Sequence, residues 1–295
     1  MHTIDQLKRL ILVALFSEDE LVHRLVLKGG NALRLAHDVS SRASFDLDFS
    51  MEGKFEESDI EGVRSRIESR LTQTFKPAGY VAFDVTLEPR PENISPQLEA
   101  FWGGYDLQFK LISRTRYDEL GGQLYAIRRE AIPSRPGGKA RFEIDISRHE
   151  YCTGKQTVEI DQFTIYVYTP TMVVCEKLRA ICQQDPTYAR FVMKHRVPRT
   201  RDFFDIHETV SRFSINLLAE DNRDLLRNMF RAKRVPLELL HNIDELREFH
   251  RQGWDALRDT VDPAVHLHDF DFYFEYVSNR CRDLAQAMRL RPFGT

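Results

Sequence analysis

The 295-residue sequence predicts an α+β fold: a mixed β-sheet flanked by helices, followed by a C-terminal helical bundle. Short stretches with period-two alternation, Tyr105 to Ile112 and Arg141 to Ser147 among them, read as half-buried strands of the first half. Apolar stripes at helical spacing separate them. From Thr169-Pro170 onward, where proline suits a first helical turn, nearly every segment carries helical spacing. A division into residues 1–169 and 170–295 follows, the second part being mainly helical and completing a cleft begun by the first.

Taken in order, Ile4, Leu7, Leu10, Ile11 and Ala14 form one helical stripe, and Ser17-Glu18-Asp19-Glu20 opens a second helix. Val26 and Leu27 end a buried strand. Gly29-Gly30 then turn the chain into a helix opening at Asn31, and Asp46 to Phe49 return as a strand. A helix over 56–75 carries Ile60, Val63, Ile67 and Leu71 on one side and closes at Lys76-Pro77-Ala78-Gly79. Strands over 80–87 and 105–112 flank a loop marked by Pro89, Pro91 and Pro96. A helix over 115–129 leads to the breaker-rich stretch 133–138 and to the strand 141–147, with Phe142, Ile144 and Ile146 facing inward. Helices are expected over 171–183, 202–213, 220–232, 236–249 and 272–290.

A hydrophobic content of 42% and a charged content of 29% describe an ordinary soluble chain with enough apolar material for a real core. The net charge of -3 does not announce a nucleic-acid binder, but a local basic face can work on a mildly acidic protein. The four cysteines form no Cys-x-x-Cys pair and read as reduced cytosolic thiols. The N-terminal apolar stripe is interrupted by Asp5, Lys8 and Arg9, so neither a signal peptide nor a membrane span is expected and the chain is placed in the cytoplasm.

The chemistry concentrates in Lys28-Gly29-Gly30-Asn31-Ala32-Leu33 and Ser44-Phe45-Asp46-Leu47-Asp48-Phe49. Paired glycines permit a tight turn and close backbone approach. The helix that follows offers orphan N–H groups and the positive end of its dipole to an anionic phosphate. On a strand, Asp46 and Asp48 share one face while Leu47 and Phe49 enter the core. Two neighbouring carboxylates repel unless a cation lies between them, and hard oxygen ligands suit Mg²⁺, with Mn²⁺ as a substitute, bridging nucleotide phosphates. The spacing fits neither a dinucleotide-binding glycine fingerprint nor a Walker loop.

Glycine pair, short helix and Asp-hydrophobic-Asp together resemble the nucleotidyltransferase fold of the polymerase-beta type. Adding Glu176-Lys177-Leu178-Arg179-Ala180 and Arg201-Asp202-Phe203-Phe204-Asp205, the ordered motifs over residues 28 to 206 resemble the AbiEii family of nucleotidyltransferase toxins, MenT-like proteins included. The resemblance implies a toxin of a toxin–antitoxin system that moves a nucleoside monophosphate from an NTP to RNA, with the 3′ end of tRNA, which several members of the family modify, as the expected acceptor, blocking aminoacylation and translation. It implies a cognate antitoxin as partner. Carried over, Gly29 and Gly30 are the phosphate-turn glycines, flanked by Lys28 and Asn31. Ser44, Asp46 and Asp48 form the Ser-x-Asp-x-Asp motif, Lys177 is the family lysine, and Asp202 is the aspartate of its Arg-Asp pair. Asp46 and Asp48 would hold the metal, Lys177 the phosphate tail, and Arg201 and Asp205 would contribute to the nucleotide site. Asp145, with Glu143 second, is the third acid that such folds place on a neighbouring strand. Asn31 stands where Thr or Ser is common, which bears on nucleotide preference. Ser44 corresponds to a serine that related toxins can carry phosphorylated.

Arg190, Lys194, Arg196 and Arg199 crowd the loop between the last two motifs and are candidates for RNA backbone contact, as are Arg135, Lys139 and Arg141 beside the acidic strand. His266-Leu267-His268-Asp269 invites a metal, but no further ligand cluster accompanies it. Two rivals stand: a small-molecule nucleotidyltransferase of the antibiotic-adenylyltransferase type, and a non-catalytic nucleotide-binding protein. Asp48→Ala and Lys177→Ala are each expected to abolish transfer with the fold intact.

Overall fold

The computed structural model describes residues 2–39, 41–44, 46–135 and 137–292; Phe45 of the Ser-x-Asp-x-Asp motif and Pro136 of the breaker-rich stretch lie outside them. The chain forms two units, one of residues 1–32 and 45–167, the other of residues 33–44 and 168–295.

The first unit opens with α1 (Ile4–Phe16), which starts in a Thr3 capping box completed by Gln6, and α2 (Asp19–Arg24), capped by Glu18. There follow β1 (Leu25–Lys28), α3 (Gly29–Ala36), whose last turn groups with the second unit, β2 (Leu47–Met51) and α4 (Ile60–Phe75). Next come β3 (Tyr80–Arg90), α5 (Pro96–Glu99), β4 (Gly104–Ser113), α6 (Arg114–Glu119), α7 (Leu124–Arg129), β5 (Phe142–Ser147), β6 (Gln156–Ile160) and β7 (Phe163–Val167). The seven strands form one sheet in the order β3-β4-β5-β2-β1-β7-β6. β5 and β2 are parallel, as are β1 and β7, and the other neighbours are antiparallel, so the sheet is mixed as expected. Its apolar face aligns Leu87, Leu107, Ile144 and Leu47 in one row and Tyr105, Ile146, Phe49 and Leu27 in the next, all buried. Leu7, Ile11 and Leu15 of α1 and Val63, Ile67, Leu71 and Phe75 of α4 complete this core. Each such side chain contributes about 1.5–3 kcal/mol.

Two expectations need correction, and one element is additional. The helix over 115–129 is two short helices, because Gly121 and Gly122 adopt positive φ (54° and 81°) between them. The hairpin β6–β7 is absent from the sequence reading; its strands are only five residues each, too short for a clear period. The helix over 236–249 is instead a 3₁₀ stretch over Leu237–Leu246 followed by a separate helical turn. Leu240, Ile243 and Leu246 recur every third residue and are buried, which suits three residues per turn rather than 3.6.

The second unit contains α8 (Pro170–Cys182), α9 (Pro186–Phe191), α10 (Thr200–Phe213), α11 (Glu220–Ala232), α12 (Arg247–Arg251), α13 (Trp254–Arg258) and α14 (Phe270–Ala287). Thr169 caps α8 with proline at its first turn, and Val173, Val174, Leu178 and Ile181 bury its inner face against α10 and α11. Phe203 of α10 stacks on Phe274 of α14 with ring centroids 5.2 Å apart. No helix among the described residues is long and apolar enough to cross a membrane.

Candidate active site

The polar face of the sheet carries a row of charged residues in register across five strands. Glu88 of β3 pairs with Asp106 of β4, Asp106 with Asp145 of β5, Asp145 with Asp48 of β2, and Asp48 with Lys28 of β1. Residues opposite one another in a sheet share a face, so four carboxylates and one ammonium group line a single lane. Asp48 and Asp145 sit side by side on the parallel strands at its centre. Asp106 and Glu88 were missed by sequence reasoning; their signal was the alternation of β3 and β4, which marks the outward face but not its register against β5.

Gly29, with φ of +66°, stands at the head of α3 directly against this lane. A Cβ placed there would lie 3.1 Å from Oδ2 of Asp48, which gives the glycine a steric as well as a conformational reason. The carboxylate therefore faces the glycine turn. Lys28 donates to Oγ of Ser147 at 3.2 Å and lies 3.5 Å from the Glu150 carboxylate. Asp145 is paired with Arg90 at 2.9 Å, yet half of its side chain stays in water. Glu143, the second choice for third acid, is held by Arg141.

Asp46 lies one residue before β2 and is exposed. Asn31 is wholly buried: its amide nitrogen donates to the backbone carbonyl of Asp46, and its carbonyl accepts from Nζ of Lys8 at 3.2 Å. Its observed contacts fix the backbone at the start of the acidic strand. Asp46 and Asp48 would offer two hard carboxylates, and no group of three or more ligating side chains suited to a metal occurs among the described residues. Such a pair fits Mg²⁺, which keeps waters and takes substrate phosphate oxygens in the rest of its shell.

The second unit gathers a different set. Nζ of Lys177 lies 2.8 Å from Asp202 Oδ1 and 2.8 Å from Asp205 Oδ2. Arg42 grips Asp205 with two parallel hydrogen bonds of 2.7 and 2.6 Å, and Arg199 donates to Asp202. Asp202 and Asp205, three residues apart on α10, present one face to Lys177 on α8. Burial alone would raise the carboxyl pKa values; the charges of Arg42 and Lys177 on Asp205, and of Arg199 and Lys177 on Asp202, more than offset it, so both are lowered. Burial would lower Lys177, but the two aspartates raise it on balance, so it stays a cation. Arg42 had no motif to reveal it: its partner is 163 residues away.

The start of α10 is fixed by His250. This buried imidazole accepts the Arg199 backbone N–H at Nδ1 (2.9 Å), and its own carbonyl accepts from the Thr200 hydroxyl. Burial pushes its pKa down to about 3, so the ring is neutral. Ser44 is half-buried at the end of the segment that begins at Leu33, and Ala43 beside it donates its N–H to Thr260. Of the basic candidates, Arg190 and Lys194 are exposed, while Arg201 is exposed with a long contact to the Ala256 carbonyl. Arg196 donates to the Gln184 carbonyl at 2.6 Å and covers the Phe249 ring at 4.1 Å, which gives it a structural post.

Residues 10–276 match the family profile described as the nucleotidyl transferase AbiEii toxin of a type IV toxin–antitoxin system. The chain belongs to this AbiEii family. As a member it is a nucleotidyltransferase of the toxin class, and its family implies an antitoxin as partner. No curated protein matches it significantly. Similar solved structures include a protein described as a nucleotidyltransferase from H. pylori, 15% identical over 98% of this chain and 96% of that one, with a TM-score of 0.49. JHP933 from Helicobacter pylori is 16% identical over 97% and 91% of the two chains, with a TM-score of 0.40. An antigenic nucleotidyltransferase-like protein from Paracoccidioides brasiliensis is 13% identical over 77% and 93%, with a TM-score of 0.35.

Proposed function

We propose that this AbiEii protein transfers a nucleoside monophosphate from an NTP to the 3′ end of tRNA, and thereby blocks aminoacylation and translation in the cytoplasm. The observation that carries the reading is the central pair of the acidic lane, Asp48 beside Asp145, set against the glycine turn at the head of α3. Glycine amides and a helix N-terminus suit the phosphates of an NTP. Bound by Asp46 and Asp48, Mg²⁺ would supply neutralisation of the charge on the transferred group and on the departing pyrophosphate.

In the reaction the acceptor hydroxyl oxygen bonds to the α-phosphorus of the NTP, the bond from that phosphorus to the bridging oxygen breaks, and pyrophosphate leaves with the electron pair. The hydroxyl proton passes to a carboxylate of the lane, for which half-exposed Asp145 is the choice. From the helical unit the reading takes Lys177 as a phosphate cation, oriented by Asp202 and Asp205, with Arg201 and Ser44 contributing to nucleotide binding. Arg190, Lys194 and Arg199 would meet RNA phosphates.

Incubation with Mg²⁺, each α-labelled NTP and total tRNA tests the proposal. Label entering tRNA supports it. Label entering only a small hydroxylated acceptor favours the adenylyltransferase-like rival, and binding of NTP without transfer to any acceptor favours a non-catalytic protein.

A further inference from the structure

A cavity of about 70 Å³ opens in the first unit beside Asp46, on the β5 side of that residue. Its lining combines Lys8 of α1, Arg135 and Lys139 of the loop before β5, and Arg141 at the β5 entrance with the carboxylates of Asp46 and Glu143. Four cations thus face two carboxylates. Lys8 is only 2% exposed, so its ammonium group is set in place by the fold and is anchored on Asn31. Arg141 is oriented by Glu143 at 2.6 Å. The loop is closed by hydrogen bonds from Ser134 to the Lys139 carbonyl. A volume of that size exceeds what one water needs several times over and suits a phosphate group.

The sheet order decides which phosphate. β2 lies between β1 and β5. The glycine turn and the head of α3 follow β1, whereas the cavity draws its lining from α1, the loop before β5, β5 and the start of β2, with Ile11, Leu47, Phe142 and Ile144 as its apolar floor, and from no residue of β1. In phosphoryl transfer the attacking and leaving oxygens stand in line on opposite sides of the phosphorus. With the NTP tail at the glycine turn, the acceptor approaches from the β5 side.

Resting on the proposed transfer to RNA, we infer that this cavity binds the backbone phosphate next to the acceptor's terminal hydroxyl, and so positions the 3′ end over Asp46. Its polar wall is charged, and the one aromatic residue in its lining, Phe142, is buried in the core and offers no stacking face, so the contact reads backbone rather than sequence.

The test uses the full chain and the variants R135Q and R141Q, with R141K as the charge-keeping control and K76Q, an exposed lysine after α4, as a neutral-surface control. Binding of 5′-labelled tRNA is followed by anisotropy over a salt series, and the KM for NTP is measured in the transfer assay. R141Q and R135Q should each weaken tRNA binding roughly tenfold and flatten the slope of log affinity against log salt by about one, with the KM for NTP unchanged. R141K should recover most of the loss and K76Q should match wild type. A raised KM for NTP with tRNA binding unchanged would assign the cavity to the triphosphate and overturn the inference, as would variants that alter neither quantity. Wild-type protein that transfers nothing to tRNA would remove the parent reading and the inference together; active wild type with indifferent variants removes only the inference.

Discussion

Asp145 keeps 52% of its side chain exposed beside a still more exposed arginine, Arg90, whereas Asp205 keeps 6% and is gripped by Arg42 and Lys177. The sheet unit thus gathers carboxylates in a lane whose Asp145 is open to water, and the helical unit gathers them in a buried network with Lys177, Arg42 and Arg199. Exposed like charges cost little while water screens them and gain most when a multivalent cation or a cationic ligand arrives. Buried charges must be satisfied by the protein itself, because an unmatched one costs several kcal/mol. The first arrangement is suited to binding from solution; the second holds Lys177 in a fixed place between Asp202 and Asp205.

The comparison can be broken at four places, taken from the largest effect down. Asp48→Asn removes a charge from the lane without opening the core, so transfer should fall on the order of 10²–10³-fold or more while the urea midpoint stays at the wild-type value. A large loss of stability would show that the lane is structural. Lys177→Met leaves two buried carboxylates facing Arg42 and Arg199 alone, and urea unfolding should show a loss of about 3–5 kcal/mol. The structure thereby revises the expectation that Lys177→Ala spares the fold, since the side chain is almost wholly buried between its partners.

Arg42→Lys keeps the charge but cannot make the two parallel bonds to Asp205, so a smaller loss of about 1–3 kcal/mol is expected in the same measurement. If Arg42→Lys equals wild type, the bidentate geometry contributes nothing to stability. The last effect is nil at neutral pH and grows only as pH falls. His250 is neutral in the fold, its pKa lowered from 6.5 to about 3. Its contribution is complete above pH 6.5 and is lost as pH falls, with a slope approaching about 1.4 kcal/mol per pH unit. His250→Gln keeps an acceptor for the Arg199 N–H and removes the titration, so its stability should be flatter between pH 6.5 and about 4.5. Below that range the lowered Asp202 and Asp205 take over: their stabilisation is full above about pH 3.9 and disappears as pH falls through their folded values. Lys177 works in the other direction, its contribution being lost only as pH rises through its elevated folded value.

Much of the sheet unit was legible in the sequence because strand periodicity is local. Alternation in Asp46 to Phe49 and in Phe142 to Ser147 marks outward carboxylates without knowledge of any partner strand, and a glycine pair announces its own backbone. Register is not local. Nothing in the segment 104–113 says that Asp106 will stand opposite Asp145, or that Glu88 will extend the lane. The helical unit was legible as helices and as two motifs, but its network was not, since Arg42 reaches Asp205 from a segment with no period of its own. Asn31 shows the same limit. Its position after the glycines suggests a ligand contact, while its burial between Lys8 and the Asp46 carbonyl makes it a brace for the acidic strand.

The central claim is addition of nucleotides to RNA 3′ ends through the acidic lane, and sequencing RNA 3′ ends after induction of the protein in cells tests it most directly. The account predicts untemplated nucleotides on tRNA 3′ ends with the wild-type chain and none with Asp48→Asn. Growth arrest by the wild-type chain with every tRNA end unchanged would contradict it.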